Sequence, residues 1–178
     1  MGLLKLSKKQ LREGRSEKFL YPVLEIPQDP DEAYEKAKSL ILAEGWKIER
    51  RTGKTAHAKK FTMTLRNSIK LAAKWDSYSK PQQAMILWHE LVHVRQRKAW
   101  GHAKFVFRYA SAKGRWAIET PAYRMSVRVY ERLSKGKFNA TDYVEYKLDS
   151  MYKSYWLSSL NKKHYKDKTR AIWLLERV

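Results

Sequence analysis

Two histidines and a glutamate lie inside an otherwise apolar run of the sequence, ILWHELVHVRQ (86–96). His89 and His93 are four residues apart, so on a helix they share one face, one turn apart. That spacing lets two imidazole nitrogens reach one metal ion at about 2.0–2.1 Å each. Glu90 follows the first histidine, where its carboxylate would reach a water on the metal better than the metal itself. Burying such groups is unfavourable unless something satisfies them, and a metal would do so.

The pattern HExxH supports a specific chemistry at such a metal. Zinc lowers the pKa of a bound water toward 7, and the glutamate can take its proton. The resulting hydroxide attacks a carbonyl carbon, and Glu90 can return the proton to the leaving amine. The alternative interpretation is two core histidines satisfied by hydrogen bonds, without a metal. We therefore predict a Zn²⁺ site with His89 and His93 as two of its ligands.

A catalytic zinc usually has three protein ligands, so the third has to be sought elsewhere. The arrangement HExxHxxGxxH is excluded, because the positions of its glycine and third histidine hold Gln96 and Ala99. Two candidates stay open: His102, nine residues after His93, and Glu119, 26 residues after it. More remote candidates are His57, His164, Asp142 and Glu145.

Three segments, HELVHVRQ, FRYA and RWAIETPAY, resemble the gluzincin-type zincins. They are most similar to compact bacterial and phage-encoded metallopeptidases with the pattern HExxHxxQ…Y…ExxAY. The resemblance covers about residues 67–130. It implies a zinc peptidase with Glu119 as third zinc ligand and Glu90 as general base, and Pro121 departs from the ExxAY segment. The other matching positions are Gln96, Tyr109, Ala122 and Tyr123.

The resemblance also predicts how a substrate is held. Such zincins place an edge strand above the catalytic helix, where it pairs with an extended substrate backbone; by position this strand is NSIKLAAKW (67–75). Tyr123 is the residue we name beside Glu90 as catalytic, as a donor to the oxyanion. The further candidates for that role are Tyr109, His102 and Arg124.

Hydrophobic periodicity predicts one α+β domain with a small N-terminal sheet and a mainly helical C-terminal half, and the resemblance implies that this domain is zincin-like. Residues 1–30 are predicted to be a basic, extended arm, and residues 31–178 the domain. WKIER (46–50) is a strand candidate, and residues 61–72 are a hairpin candidate. The predicted helices cover about 31–44, 79–100, 102–112, 116–134 and 141–160, with Gly114 ending the third and Pro121 starting or kinking the fourth.

The composition restricts the functional classes. The 178 residues include no cysteine, which excludes disulfides, thiolate metal sites and cysteine catalysis. The net charge of +20 favours contact with a polyanion such as nucleic acid or cell wall. We expect a peptide, protein or peptidoglycan-stem substrate. The alternative function is a basic binding or structural component of a larger assembly, for example a phage virion, with a relict or structural zinc site.

No secretory signal or transmembrane run is visible in the sequence. We therefore expect a protein made in the cytoplasm without a signal peptide, with a virion as one destination.

Overall fold

The computed structural model describes residues 25–51, 62–65, 67–134, 144–146, 148, 149 and 152. This part of the chain is mostly helical and contains a three-stranded sheet, which confirms the predicted α+β class. In chain order the elements are α1 (Pro30–Ala43), β1 (Lys47–Arg50), β2 (Met63–Leu65), β3 (Ser68–Leu71), α2 (Lys80–Trp100), α3 (His102–Ala110) and α4 (Ala112–Leu133).

Local capping explains where the first two long helices begin. Asp29 precedes Pro30, and its carboxylate accepts hydrogen bonds from the backbone N–H groups of Asp31 and Glu32, at 2.9 and 3.0 Å. Ser79 precedes α2, and its backbone N–H donates to the Gln82 side chain at 3.0 Å as part of a capping box. The second cap holds the start of α2, the helix that carries His89 and His93.

The sheet has the order β1-β3-β2, so the prediction of the edge strand was wrong. β1 pairs parallel to β3, and β2 pairs antiparallel to β3 through the predicted hairpin. Residues 67–75 therefore contain the central strand of the described sheet, and among the described strands β2 is the edge that lies against α2. The strand pattern of the sequence identifies β3, but its place in the sheet depends on pairing with β1, which is distant in sequence.

Helix α2 packs between α1 and α4 and forms the centre of the described core. Trp88 is fully buried, and its indole N–H donates to the Ala33 carbonyl of α1 at 3.0 Å. Leu87, Leu91 and Val94 are buried on the same helix. Burying such side chains contributes about 1.5–3 kcal/mol each, so α2 is held firmly in place.

The break between α2 and α3 agrees with the prediction, but α4 begins earlier than predicted, at residue 112. Gly101 separates α2 from α3 with φ +76°, a backbone conformation that side chains disfavour. Gly114 does not end α3 but lies in the first turn of α4, where an added Cβ would stand 1.8 Å from the Arg108 carbonyl oxygen. Its absence of a side chain therefore permits the close approach of two helices. Pro121 neither starts nor breaks α4, which is continuous from residue 112 to 133.

Several predictions fall outside the described residues. These include most of the arm at residues 1–30 and the chain after residue 152. Residues 144–146, 148, 149 and 152 are helical, and they lie within the helix predicted for 141–160. In the described part of the chain, no helix combines the length and the apolar character that crossing a membrane requires.

Candidate metal centre

His89, His93 and Glu119 come together where α2 packs against α4. The two Nε2 atoms are 3.2 Å apart, and Glu119 Oε2 lies 3.6 Å from that of His89 and 3.5 Å from that of His93. A tetrahedral metal with bonds of about 2.0–2.1 Å places its ligand atoms about 3.3 Å apart. In the plane of the three atoms, the point equidistant from them lies about 2.0 Å from each, and this distance equals such a bond length. This group could therefore hold a metal ion.

Both imidazole rings are oriented by a second hydrogen bond. Gln96 Nε2 donates to the Ile118 carbonyl at 2.9 Å, so its Oε1 faces His93 Nδ1, also at 2.9 Å. Because an amide oxygen only accepts, Nδ1 carries the proton of the neutral ring and Nε2 presents its lone pair. His89 Nδ1 lies 3.2 Å from the Ser126 hydroxyl, which itself donates to the Ala122 carbonyl. Both Nε2 atoms are thus directed at Glu119.

Two lone pairs and a carboxylate that face one another need a cation between them. Glu119 is 2% exposed, and its Oε2 is buried without a hydrogen-bond partner in the described structure. Burial by itself lowers the pKa of His93, but the Glu119 carboxylate, with Glu90 and Gln96, outweighs it and raises that pKa to about 9. Burial by itself raises the pKa of Glu119, but the two histidines outweigh it and lower that pKa to about 2. Without a metal, a proton on His93 supplies the cation.

Glu90 lies beside this group without belonging to it. Its carboxylate is 5% exposed, and Oε2 accepts a hydrogen bond from the Thr64 hydroxyl of β2 at 2.5 Å. The edge strand thus fixes the rotamer of the predicted base, and Glu90 shares the cleft with His89, His93 and Glu119.

The cleft has a volume of about 400 Å³ and lies between β2, α2 and α3, with Glu119 of α4 at its base. Apart from the cluster and Glu90, it is lined by Thr62, Met63, Thr64, Arg97, Phe105, Val106, Tyr109 and Ala110. Tyr109 lines it, and burial and the Glu119 carboxylate raise the pKa of its hydroxyl, so that this group remains a proton donor. Tyr123, the predicted catalytic tyrosine, packs edge-on against the His89 ring, with centroids 4.8 Å apart. It is not among the residues that line this cleft.

The structure separates the two candidates for the third ligand. Glu119 reaches both histidines, whereas His102 is exposed at the start of α3 and its Nδ1 lies 2.9 Å from Arg97 Nη1. Among the described residues, the candidate metal group comprises two histidines and Glu119 and does not include Glu145. The remaining candidates, His57, Asp142 and His164, lie outside the described residues.

Three residues that shape this site were not predicted from the sequence. Arg97 lies four residues after His93, on the same face of α2, so the helical spacing that identifies the histidines could also have indicated it. Thr64 and Ser126 gave no comparable signal, because each reaches the site only through packing between distant segments. Only tertiary structure identifies such partners.

Comparison with known proteins adds no relative: no protein-family model, no curated protein and no solved structure matches the chain.

Proposed function

We propose that this protein is a zinc-dependent peptidase with a zincin-like arrangement, in which His89, His93 and Glu119 hold the metal. The observation that carries the proposal is the joint position of this triangle and Glu90 in one cleft. Two imidazoles and one carboxylate are a known ligand set for catalytic zinc, and they leave a coordination position open. Bound zinc would supply a Lewis acid that acidifies a water and polarises a carbonyl.

Glu90 is the proposed general base and acid. Its carboxylate takes a proton from the attacking water and delivers it to the leaving amine. The Thr64 hydroxyl occupies Oε2 and so holds the carboxylate in one orientation. Tyr109, rather than Tyr123, is the proposed hydrogen-bond donor to the oxyanion, because it lines the cleft and its hydroxyl stays protonated.

An extended peptide is the proposed substrate, lying along β2. This strand is the edge of the described sheet nearest the cleft, and Met63 and Thr64 line that cleft. Backbone pairing at an edge strand would present the peptide to the metal with little dependence on side chains.

The test compares the protein with its Glu90→Gln variant, which keeps size and hydrogen bonding but removes the base. Both proteins are loaded with zinc and incubated with a proteome-derived peptide mixture, and new termini are counted by mass spectrometry. We expect cleavage by the native protein and a loss of about a hundredfold or more in the variant, with equal zinc content by elemental analysis.

Full activity of the Glu90→Gln variant would contradict the assigned base. Absence of cleavage by the native protein, together with DNA binding that weakens steeply as salt rises, would instead favour the basic binding component.

A further inference from the structure

Arg97 places a positive charge in the same cleft, one helical turn after His93 and two after His89. Its Nη2 donates to the Thr64 carbonyl of β2 at 3.1 Å, and Nη1 lies 2.9 Å from His102 Nδ1. The guanidinium carbon lies 4.3 Å from the centroid of the Phe105 ring. Contacts from β2 and α3 thus hold this side chain in one position within the cleft.

This charge has no carboxylate partner within 4.0 Å among the described residues. Arg97 is only partly exposed, and its Nε is buried without an acceptor. Burial lowers the pKa of Arg97, although the Glu90 carboxylate acts against that decrease. A guanidinium removed from water without a paired anion is unfavourable, so an anionic ligand in the cleft would gain from meeting it.

The guanidinium also keeps donors available. An arginine has five N–H donors, and the contacts with Thr64 and His102 use two of them. The planar fork matches a carboxylate, which accepts two parallel hydrogen bonds from it. Apart from Arg97, the two histidines, Glu90 and Glu119, the cleft is lined by uncharged side chains, among them Thr62, Met63 and Val106.

The distance from the metal group sets where such a carboxylate would lie on a peptide. Four residues of helix separate Arg97 from His93, a rise of about 6 Å. An extended peptide advances about 3.3 Å per residue, so this span corresponds to about two residues. The cleft of about 400 Å³ is large enough for a peptide segment of that length.

We propose that Arg97 is a specificity-determining residue that binds a carboxylate of the substrate one or two residues from the scissile amide. The substrate class is a peptide that carries there either its free C-terminal carboxylate or an acidic side chain. This inference rests on the proposed peptidase function, because it assumes that a peptide occupies the cleft.

The test measures binding without turnover, in the zinc-loaded Glu90→Gln variant, by titration calorimetry. The probes are acetyl-trialanine, its C-terminal amide, and that amide with glutamate as its last residue. Each probe is titrated into protein with the native arginine and into two further variants, Arg97→Gln and Arg97→Lys. Zinc content and melting temperature check that each variant is folded, and the lysine variant retains the charge if the glutamine variant is unstable.

With the native arginine, we expect acetyl-trialanine to bind at least about tenfold more tightly than its amide, as for a charge-assisted hydrogen bond. Arg97→Gln should remove this preference, and Arg97→Lys should retain part of it, because a lysine offers charge without the fork. Tight binding of the glutamate amide as well would assign the acidic side chain as a second source of the carboxylate. Tight binding of acetyl-trialanine alone would assign the C-terminus.

Four results would overturn the inference. The first three are equal binding of acetyl-trialanine and its amide, no binding of acetyl-trialanine at about 10 mM, and an unchanged preference in Arg97→Gln. An equal loss of affinity for all probes in Arg97→Gln also overturns it, since that loss would reflect displacement of β2. Because the protein used has no base, the result does not depend on whether the native protein cleaves peptides.

Discussion

Gln96 connects the two helices of the candidate metal centre through one side-chain amide. It is fully buried, its Oε1 accepts from His93 Nδ1, and its Nε2 donates to the carbonyl of Ile118, the residue before Glu119. Replacement by leucine keeps the approximate volume and removes both hydrogen bonds. The His93 ring then loses the partner that selects its tautomer, and the Ile118 carbonyl loses its donor.

Two separate effects are expected from Gln96→Leu. Loss of the partner of a metal-binding histidine typically reduces metal affinity by about 10–100-fold. Each buried polar group left without a partner costs about 1–3 kcal/mol, so the two together lower the free energy of unfolding by about 2–6 kcal/mol. In a chain of this length, 1 kcal/mol corresponds to about 2–4 °C in melting temperature.

Gln83 provides a matched control on the same helix. It is also buried, and its Nε2 donates to the carbonyls of Trp75 and Tyr78 at 3.0 and 3.2 Å. Neither of these partners belongs to the candidate metal group. Gln83→Leu should therefore lower the melting temperature of the metal-free protein but leave zinc affinity unchanged. Zinc affinity is measured by competition with a chromogenic chelator, and stability by thermal unfolding after chelation. Equal zinc affinity in the two variants would refute the role of Gln96 in orienting His93.

Two more predictions concern the cation at the centre. Glu119→Ala should lower zinc affinity by more than a hundredfold, whereas His102→Ala should leave it unchanged. Elemental analysis after dialysis measures the zinc that each variant retains. The reverse result would restore His102 as the third ligand. Since the pKa of His93 is raised to about 9, that ring is protonated near pH 7 in the metal-free protein, and zinc must displace the proton. Calorimetry at pH 7 in buffers of different ionisation enthalpy should show that about one proton is released when zinc binds. The zinc affinity should rise about tenfold per pH unit until the pH approaches 9. A zinc affinity that does not depend on pH would contradict the raised pKa of His93.

The sequence predicted the parts of the site that depend on local spacing. The capping residues define the start of α2, and the interval between His89 and His93 places both rings on one helix face. The resemblance added Glu119 as third ligand, and the structure brings it within 3.6 Å of both histidines. Pro121 lies two residues further on, yet α4 continues through it. The helix contacts α2 on both sides of that residue, through the Ile118 carbonyl and the Ser126 hydroxyl.

The parts that could not be predicted depend on long-range pairing. β2 and β3 are both short and both alternate, so their sequences do not tell which one takes the parallel partner β1 and which one remains at the edge. That order decides which strand faces Glu90, and it brings Thr64 rather than a residue of 67–75 to the base. The contacts of Arg97 depend on the same order, because its partner on the sheet is the Thr64 carbonyl.

The three candidate metal ligands are held by packing that does not itself require a metal. Apolar residues of α2 fix its position against α1 and α4, and Gln96 and Ser126 hold the rings from behind. The Glu119 carboxylate raises the pKa of His93, which favours a proton on this ring when no metal is bound. A bound metal ion would replace that proton in a site that is already formed. The fold therefore need not be built around the metal, and the open cleft with Glu90 and Arg97 keeps its shape for a ligand.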